Sequence, residues 1–314
     1  MKGARMSSLP LIATLEAGGT KMVAAFTRGP GEIFSRERIP TTSPEETIHR
    51  LVEFFEKGAA RFGQPEALVV GTFGPADLEP ESPTYGYITA TPKKGWAQTD
   101  LLGPLKNALG GIPAVFETDV NAALFGEATW GAAKGLKHAA YFTVGTGIGG
   151  GLLINGGLIH GAGHSEMGHM RVGRHRDDDF GGTCPFHQDC LEGLASGPAL
   201  GERWQGPAEE LPATHKGWEI EAYYLAQACA NVLMIAPPER IILGGGVMHQ
   251  VQLFPLVSEQ LRVLLNGYLP QHKLADDLSS FVVPPDLGDD AGLLGCVALG
   301  QALLRKLKGD LSPQ

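Results

Sequence analysis

The chain has 314 residues, 43% of them apolar, with 25 lysines and arginines against 34 aspartates and glutamates, a formal net charge of −9. Such a composition is globular and supplies one large domain or two ordinary ones, and its sign argues against nucleic acid as a general partner. No apolar stretch approaches the roughly 20 residues of a membrane span, and the start MKGARMSSLP has no signal-peptide core before Leu9, so a cytoplasmic protein is expected.

Residues 11–15 are a short apolar run, EAGGTK follows at 16–21, and a second apolar run covers 22–26, which predicts a strand–turn–strand hairpin. Apolar residues at helical spacing predict a helix over 45–62, and 67–70 reads as a strand. Residues 71–96 are polar and broken by Pro75, Pro80, Pro83 and Pro92, the mark of an irregular loop. A helix is expected over 100–109 with Gly103-Pro104 in its first turn, then a strand over 114–116 running into Glu117-Thr118-Asp119-Val120-Asn121. The hairpin grammar then returns: an apolar run at 139–144, GTGIGGG at 145–151, and a further strand at 152–154. Two copies of one unit suggest internal duplication. A helical pattern over 220–234 stops at Pro237-Pro238, a strand at 240–243 runs into Gly244, Gly245 and Gly246, and a last helix over 291–307 begins after Asp289-Asp290, where acids favour the helix dipole. With no long linker, the halves are expected to form two lobes.

The 44 glycines are about twice the usual share of roughly 7%. Their clustering after apolar runs points to backbone that approaches a ligand closely. GTGIGG fits G-x-G-x-x-G, but a strand follows it instead of a helix, which excludes a dinucleotide fold. No G-x-x-x-x-G-K-[ST] is present, which excludes a Walker site. Three glycine turns, two with an adjacent threonine (Thr20, Thr146), favour a nucleotide held by converging N–H groups over ligand-free tight turns. The negative chain repels free ATP, so such a site needs magnesium and local donors.

Four cysteines, Cys184, Cys190, Cys229 and Cys296, are too few for a disulfide scaffold. His169, Cys184, His187 and Cys190 instead supply the donor set of a tetrahedral structural zinc, against the plainer reading of an exposed loop with reduced thiols. His160, His164 and His175 stay open as substitutes for the fourth ligand. His164-Ser165-Glu166 with Cys184 faintly resembles the zinc deaminase pattern, but Thr183 stands where that pattern needs proline and His187 where it needs cysteine. Asp119, Glu166 and Glu192 lie at turns or element ends, where carboxylates can accept sugar hydroxyls and take a proton. Any one of them alone would read as a solvated surface acid; the case rests on their joint context.

EAGGTK at 16–21, GTGIGGG at 145–151, EMGH at 166–169, CLEGLASG at 190–197, LGGGV at 243–247 and DAGLLG at 290–295 together resemble the ROK family (repressor, open reading frame, kinase), from about residue 11 to 304. Within that family, SPTYGYITATPKKGW at 82–96 and the histidine in the zinc loop look most like bacterial fructokinases. The resemblance implies a two-lobed actin/hexokinase-like (ribonuclease H-like) α/β ATPase fold, with a smaller lobe of 9–117 plus about 291–314 and a larger lobe of 118–290. It implies phosphorylation of fructose by ATP at the 6-hydroxyl, glucose and mannose kinases being the alternatives. A non-catalytic sugar sensor is the binding-module rival; about ten residues precede the first strand, too few for a helix-turn-helix. Asp119 matches the catalytic base, and Glu166, His169 and Glu192 match the sugar-contact positions. His169, Cys184, His187 and Cys190 match the zinc site. Gly18, Gly19, Thr20 and Lys21 match the first phosphate loop, Thr146 and Gly147 the second, and Gly244, Gly245 and Gly246 the adenosine side. ATP, Mg2+ and a structural Zn2+ are thereby implied, as is a homodimer. Glu16 departs from the family's usual aspartate, a position associated with magnesium, and His187 replaces a usual third cysteine.

Overall fold

The computed structural model describes residues 9–268 and 278–309. The basic start at residues 1–8 and the last residues of the expected smaller lobe, 310–314, lie outside the described residues.

β1 (Ile12–Ala17) and β2 (Lys21–Thr27) form the expected antiparallel hairpin, Ile12 facing Thr27 and Ala17 facing Met22. β3 (Ile33–Pro40) adds antiparallel to β2. No sequence pattern announces it, because Arg36, Glu37 and Arg38 break the alternation at a sheet edge, where charge discourages further pairing. α1 (Pro44–Phe62) begins where local chemistry directs: Ser43 Oγ accepts the Glu46 N–H at 3.3 Å, Pro44 occupies the first turn, and Gly63 at φ +96° ends the helix. β4 (Ala67–Thr72) runs parallel to β1. The segment after it is largely irregular, with two-residue strands β5 (Tyr87–Ile88) and β6 (Thr99–Asp100) pairing antiparallel. It is pinned by fully buried Trp96, whose Nε1 donates to Thr42 O at 2.8 Å. α2 (Leu102–Ala108) carries Gly103-Pro104 in its first turn, Gly103 N–H donating to Asp100 Oδ1 at 2.8 Å. β7 (Ala114–Thr118) lies parallel to β4, and α3 (Asp119–Trp130) follows without a linker. Most of α3 is buried, so its sequence carries no amphipathic stripe and gives no helical signal.

The second hairpin joins β8 (Ala139–Val144) to β9 (Ile148–Ile154), and β10 (Gly157–Leu158) extends it. Here the turn is shorter than the glycine run suggests: Gly149, Gly150 and Gly151 belong to β9. A Cβ on Gly150 would lie 2.5 Å from Met167 Cε, so the glycine lets the Met167 segment lie against the strand. α4 (Leu191–Ala195), α5 (Gly197–Trp204) and α6 (Gly217–Ile235) precede β11 (Arg240–Gly244), which is parallel to β8. α7 (Leu253–Leu265) and β12 (Val282–Val283), parallel to β11, lead to α8 (Ala291–Leu307).

The sheet orders are β3-β2-β1-β4-β7 and β10-β9-β8-β11-β12. Both are a three-stranded antiparallel meander followed by two parallel strands, the topological repeat that duplication requires. The chain divides into two compact units, one running to Gly126 and resuming at Gly292, the other Glu127–Ala291. In the first, Ala13, Leu15 and Ala17 share a core with Leu51, Phe55 and Leu105. The opposite parity of β1 faces α8, where a Cβ on Gly300 would lie 2.9 Å from Ile12 Cγ2. Burial on both faces explains why β1 and β4 read as mainly apolar runs without strict alternation. In the second, Phe142, Ile241 and Leu243 share a core with Leu225 and Cys229 of α6 and with Val257 and Leu261 of α7. Among the described residues no helix is long and apolar enough to cross a membrane.

Candidate functional site

In the first unit, strand parity sends Glu16 to the α8 face, where a Cβ on Gly292 would lie 2.7 Å from Glu16 Cδ. The carboxylate thus rests on the start of α8, where the helix dipole favours it. Gly18 N–H donates to Lys21 O at 3.0 Å, Thr41 N–H to Thr20 O at 3.0 Å, and Thr41 Oγ1 to Gly18 O at 2.8 Å. A Cβ on Gly18 would lie 2.7 Å from Lys21 O, whereas one on Gly19 would meet nothing within 4 Å. The turn is therefore closed on one side and open on the other.

Asp119 is the first residue of α3 and half-buried, with Oδ1 accepting the Val120 N–H at 2.8 Å. Thr118 Oγ1 accepts the Asn121 N–H at 3.2 Å, a side-chain cap. Glu117 Oε1 accepts both the Thr118 N–H at 2.9 Å and Asn121 Nδ2 at 3.0 Å. A Cβ on Gly71 of β4 would sit 3.1 Å from Cys296 Sγ and 3.6 Å from Asp119 Cα, so this glycine seats the start of α3 on the sheet. Burial pushes the Cys296 thiol far up, and the carboxylates of Glu16, Asp119 and Glu117 push it further. The thiol stays protonated and donates to Leu15 O at 3.6 Å. These three acids are thus gathered around one buried point.

In the second unit, Gly145 N–H donates to Gly147 O at 2.9 Å and Gly197 N–H to Gly145 O at 2.8 Å, with Thr146 exposed at the tip. Gly245 has φ +91° and a Cβ there would lie 2.5 Å from Val144 O; one on Gly244 would lie 2.1 Å from Tyr141 Oη. A Cβ on Gly145 would stand 3.9 Å from Gly246 N, so the two glycine turns adjoin. Glu192, on α4, reaches the same place. Its Oε2 accepts the Ile148 N–H at 2.9 Å, and a Cβ on Gly147 would lie 2.6 Å from that oxygen.

His169, Cys184, His187 and Cys190 have ligand atoms that all lie within 4.8 Å of one another. His169 Nδ1 is 3.5 Å from Cys190 Sγ and 3.7 Å from Cys184 Sγ, and His187 Nδ1 is 3.7 Å from Cys184 Sγ. Bonds of about 2.3 Å to sulfur and about 2.05 Å to nitrogen give a tetrahedron whose S···N edge is about 3.6 Å, so the four side chains fit a zinc ion. His160, His164 and His175 are not in the cluster. Burial, with the Cys184 thiol and Glu192 adding, pushes the Cys190 thiol up to about 11, a value that a bound cation would reverse. The loop is tied by Gln188 N–H to Cys184 O at 2.9 Å and Leu191 N–H to Met170 O at 2.9 Å, and Arg171 pairs with Asp189. Glu166 caps and His169 ends one 3-10 turn (Met167–His169), and His164 Nδ1 stands 3.4 Å from Glu166 Oε1.

One group near the loop has no sequence signal. Arg203 grips Asp178 with Nε to Oδ1 and Nη2 to Oδ2, both at 3.1 Å, and also donates to Leu194 O at 2.7 Å. Tyr224 Oη donates to Asp178 Oδ2 at 2.6 Å. Asp178 sits in the run Asp177-Asp178-Asp179, which reads as solvated, yet its side chain is 3% exposed. Glu221 is buried beside this pair with neither oxygen hydrogen-bonded to a described residue, and burial, against the pull of Arg203, raises its carboxyl well above the usual range.

Residues 12–302 match the ROK family. A fructokinase from Zymomonas mobilis is 44% identical over 93% of this chain and 97% of its own length. One from Pediococcus pentosaceus is 42% identical over 94% and 99%. The ROK hexokinase from Thermus thermophilus superposes with a TM-score of 0.75 at 28% identity, covering 94% of this chain and 99% of that one. Repeated sheets, glycine turns and family match agree: the chain has the actin/hexokinase-like ATPase fold and belongs to the ROK family.

Proposed function

We propose that the protein is a fructokinase, transferring the γ-phosphoryl group of ATP to the 6-hydroxyl of fructose and releasing fructose 6-phosphate and ADP. The observation that carries this reading is the 42–44% identity, over nearly the full length, to proteins named fructokinase. Asp119 is the general base: held by the Val120 N–H at the start of α3, it takes the hydroxyl proton as the sugar oxygen bonds to phosphorus and the bond to ADP breaks. Glu192 and Glu166 accept sugar hydroxyls, Glu192 with the oxygen that Ile148 does not hold. His169 turns Nδ1 to the thiols, which leaves Nε2–H to donate to the sugar. Gly18, Gly19, Thr20, Lys21, Thr146 and Gly147 hold phosphates through N–H and side-chain donors, and Gly244, Gly245 and Gly246 give the adenosine close access to backbone. Glu16, at the position the family associates with magnesium, would lie on the side of a magnesium ion bound with ATP, and that ion would supply neutralisation of charge on the transferring group. His169, Cys184, His187 and Cys190 would hold zinc as a structural ion; four protein ligands leave no place for the water of a hydrolase. Four buried thiols suit a reducing cytoplasm, and a homodimer rests on the family resemblance.

The test is kcat/KM for fructose, mannose and glucose with saturating Mg-ATP, read by coupled ADP release. One or two buried hydrogen bonds to the extra hydroxymethyl of fructose should favour it over glucose by about 10–200-fold. Glucose equal to fructose would overturn the preference, and ATP binding without phosphorylation of any hexose would favour a sensor.

A further inference from the structure

The first turn of α3 is clamped from inside the protein by two residues to which no role has been given. Glu117 is 5% exposed and Asn121 is 1% exposed, and they bracket Asp119 in the chain. Glu117 Oε1 receives two donors, the Thr118 N–H at 2.9 Å and Asn121 Nδ2 at 3.0 Å. A carboxylate only accepts, so the nitrogen of Asn121 must face Glu117, and the amide orientation is not ambiguous. Its Oδ1 is then turned to a buried spot with no hydrogen-bond partner among the described residues. A buried amide that leaves its acceptor unmatched costs stability. That cost is accepted here for a rigid bond across one turn of helix, from the strand residue before Thr118 to the third residue of α3. Thr118 Oγ1 to Asn121 N–H and Asp119 Oδ1 to Val120 N–H complete a first turn in which every residue from Glu117 to Asn121 is bonded locally.

We infer that Glu117 and Asn121 are positioning residues that fix the carboxylate of Asp119 for proton transfer, an inference that rests on Asp119 being the base. Glu117 does not touch the reacting atoms; it sets the backbone from which Asp119 projects. Removing the clamp lets the first turn fray and the base wander by a fraction of an ångström or more, which affects the proton transfer step and leaves binding of sugar and ATP nearly intact.

The experiment compares Glu117→Ala, Glu117→Gln, Asn121→Ala and Asp119→Asn with the unaltered full chain, each measured per folded molecule with fructose and Mg-ATP. Glu117→Ala should lower kcat by about 10–100-fold with both KM values within about three-fold. Glu117→Gln keeps an oxygen that can accept both N–H groups and should recover kcat to within about three-fold of the unaltered chain. Asn121→Ala removes one arm and should cost kcat about three- to ten-fold. A purely structural role would lower thermal stability and leave kcat per folded molecule unchanged, and that result in Glu117→Ala and Asn121→Ala overturns the inference. Glu117→Gln as impaired as Glu117→Ala overturns it too, since charge and not bonding would then matter. Should Glu117→Ala not fold, Asn121→Ala decides. Asp119→Asn with near-normal kcat would instead remove the base reading itself.

Discussion

Gly168→Ala adds one methyl group to the turn that carries Glu166 and His169. Its Cβ would lie 1.7 Å from Ile148 O, where ordinary contact starts at 3.4 Å. Ile148 O belongs to the backbone of β9 and cannot swing aside, so the Met167–His169 turn must retreat by about 1.5 Å. Gly168 has no positive φ, so the clash alone drives the effect. His169 Nδ1 starts 3.5 Å from Cys190 Sγ, and a metal shell tolerates only about 0.2 Å. Overpacking of this kind costs about 1–3 kcal/mol of stability, and a misplacement of about 1 Å in a positioning group costs about 100-fold in rate. We expect kcat/KM for fructose to fall about 100-fold and zinc content to drop below one per chain. The assay is coupled ADP release with metal analysis on the same sample. Gly206→Ala, whose Cβ would meet nothing within 4 Å, is the control and should behave as the unaltered chain. Full kcat/KM with full metal content in Gly168→Ala would refute both the packing argument and the placement of sugar contacts on this turn.

Metal analysis should find about one zinc per chain, because four ligands close one tetrahedral site. Chelation should lower thermal stability and raise the fructose KM together, and metal-free protein with unchanged values would contradict this. Asp119→Asn should reduce kcat by about 10²–10⁴-fold with sugar affinity within a few-fold, and a folded variant keeping a third of the activity would rule the base out. Glu221 has its carboxyl pKa raised above the unfolded value of 4.5, so the folded state holds the proton longer and stability falls as pH rises from about 4.5 toward the folded pKa. Glu221→Gln removes that loss, so its melting temperature should exceed the unaltered protein's at pH 8 and the gap should narrow toward pH 5. A gap that does not change with pH would show that Glu221 is not the titrating group.

The local features of this protein are written in its sequence. EAGGTK and the run at 145–151 announce two hairpins, since a glycine turn between apolar runs has few other outcomes. The start of α8 is legible because Asp289 and Asp290 precede it, although residues 291–298 are buried without a break. Leu253, Val257, Leu261 and Leu265 mark α7 at four-residue spacing, a signal that was present but is easily masked by Pro255. Cys184, His187 and Cys190 announce a cluster of metal-type donors because three such side chains within seven residues must share one small volume. The acids are different. Spacing alone does not select Asp119, Glu166 and Glu192 from 34 aspartates and glutamates; only the family resemblance does. Tertiary packing decided the rest: that α3 is a helix, that Glu16, Glu117 and Asp119 surround one thiol, that Glu192 holds Ile148 and that Asp178 is buried against Arg203. Each of these joins residues far apart in the chain or buries a helix on all sides. Periodicity records the boundary between core and water, and where a segment meets no water there is no period to read.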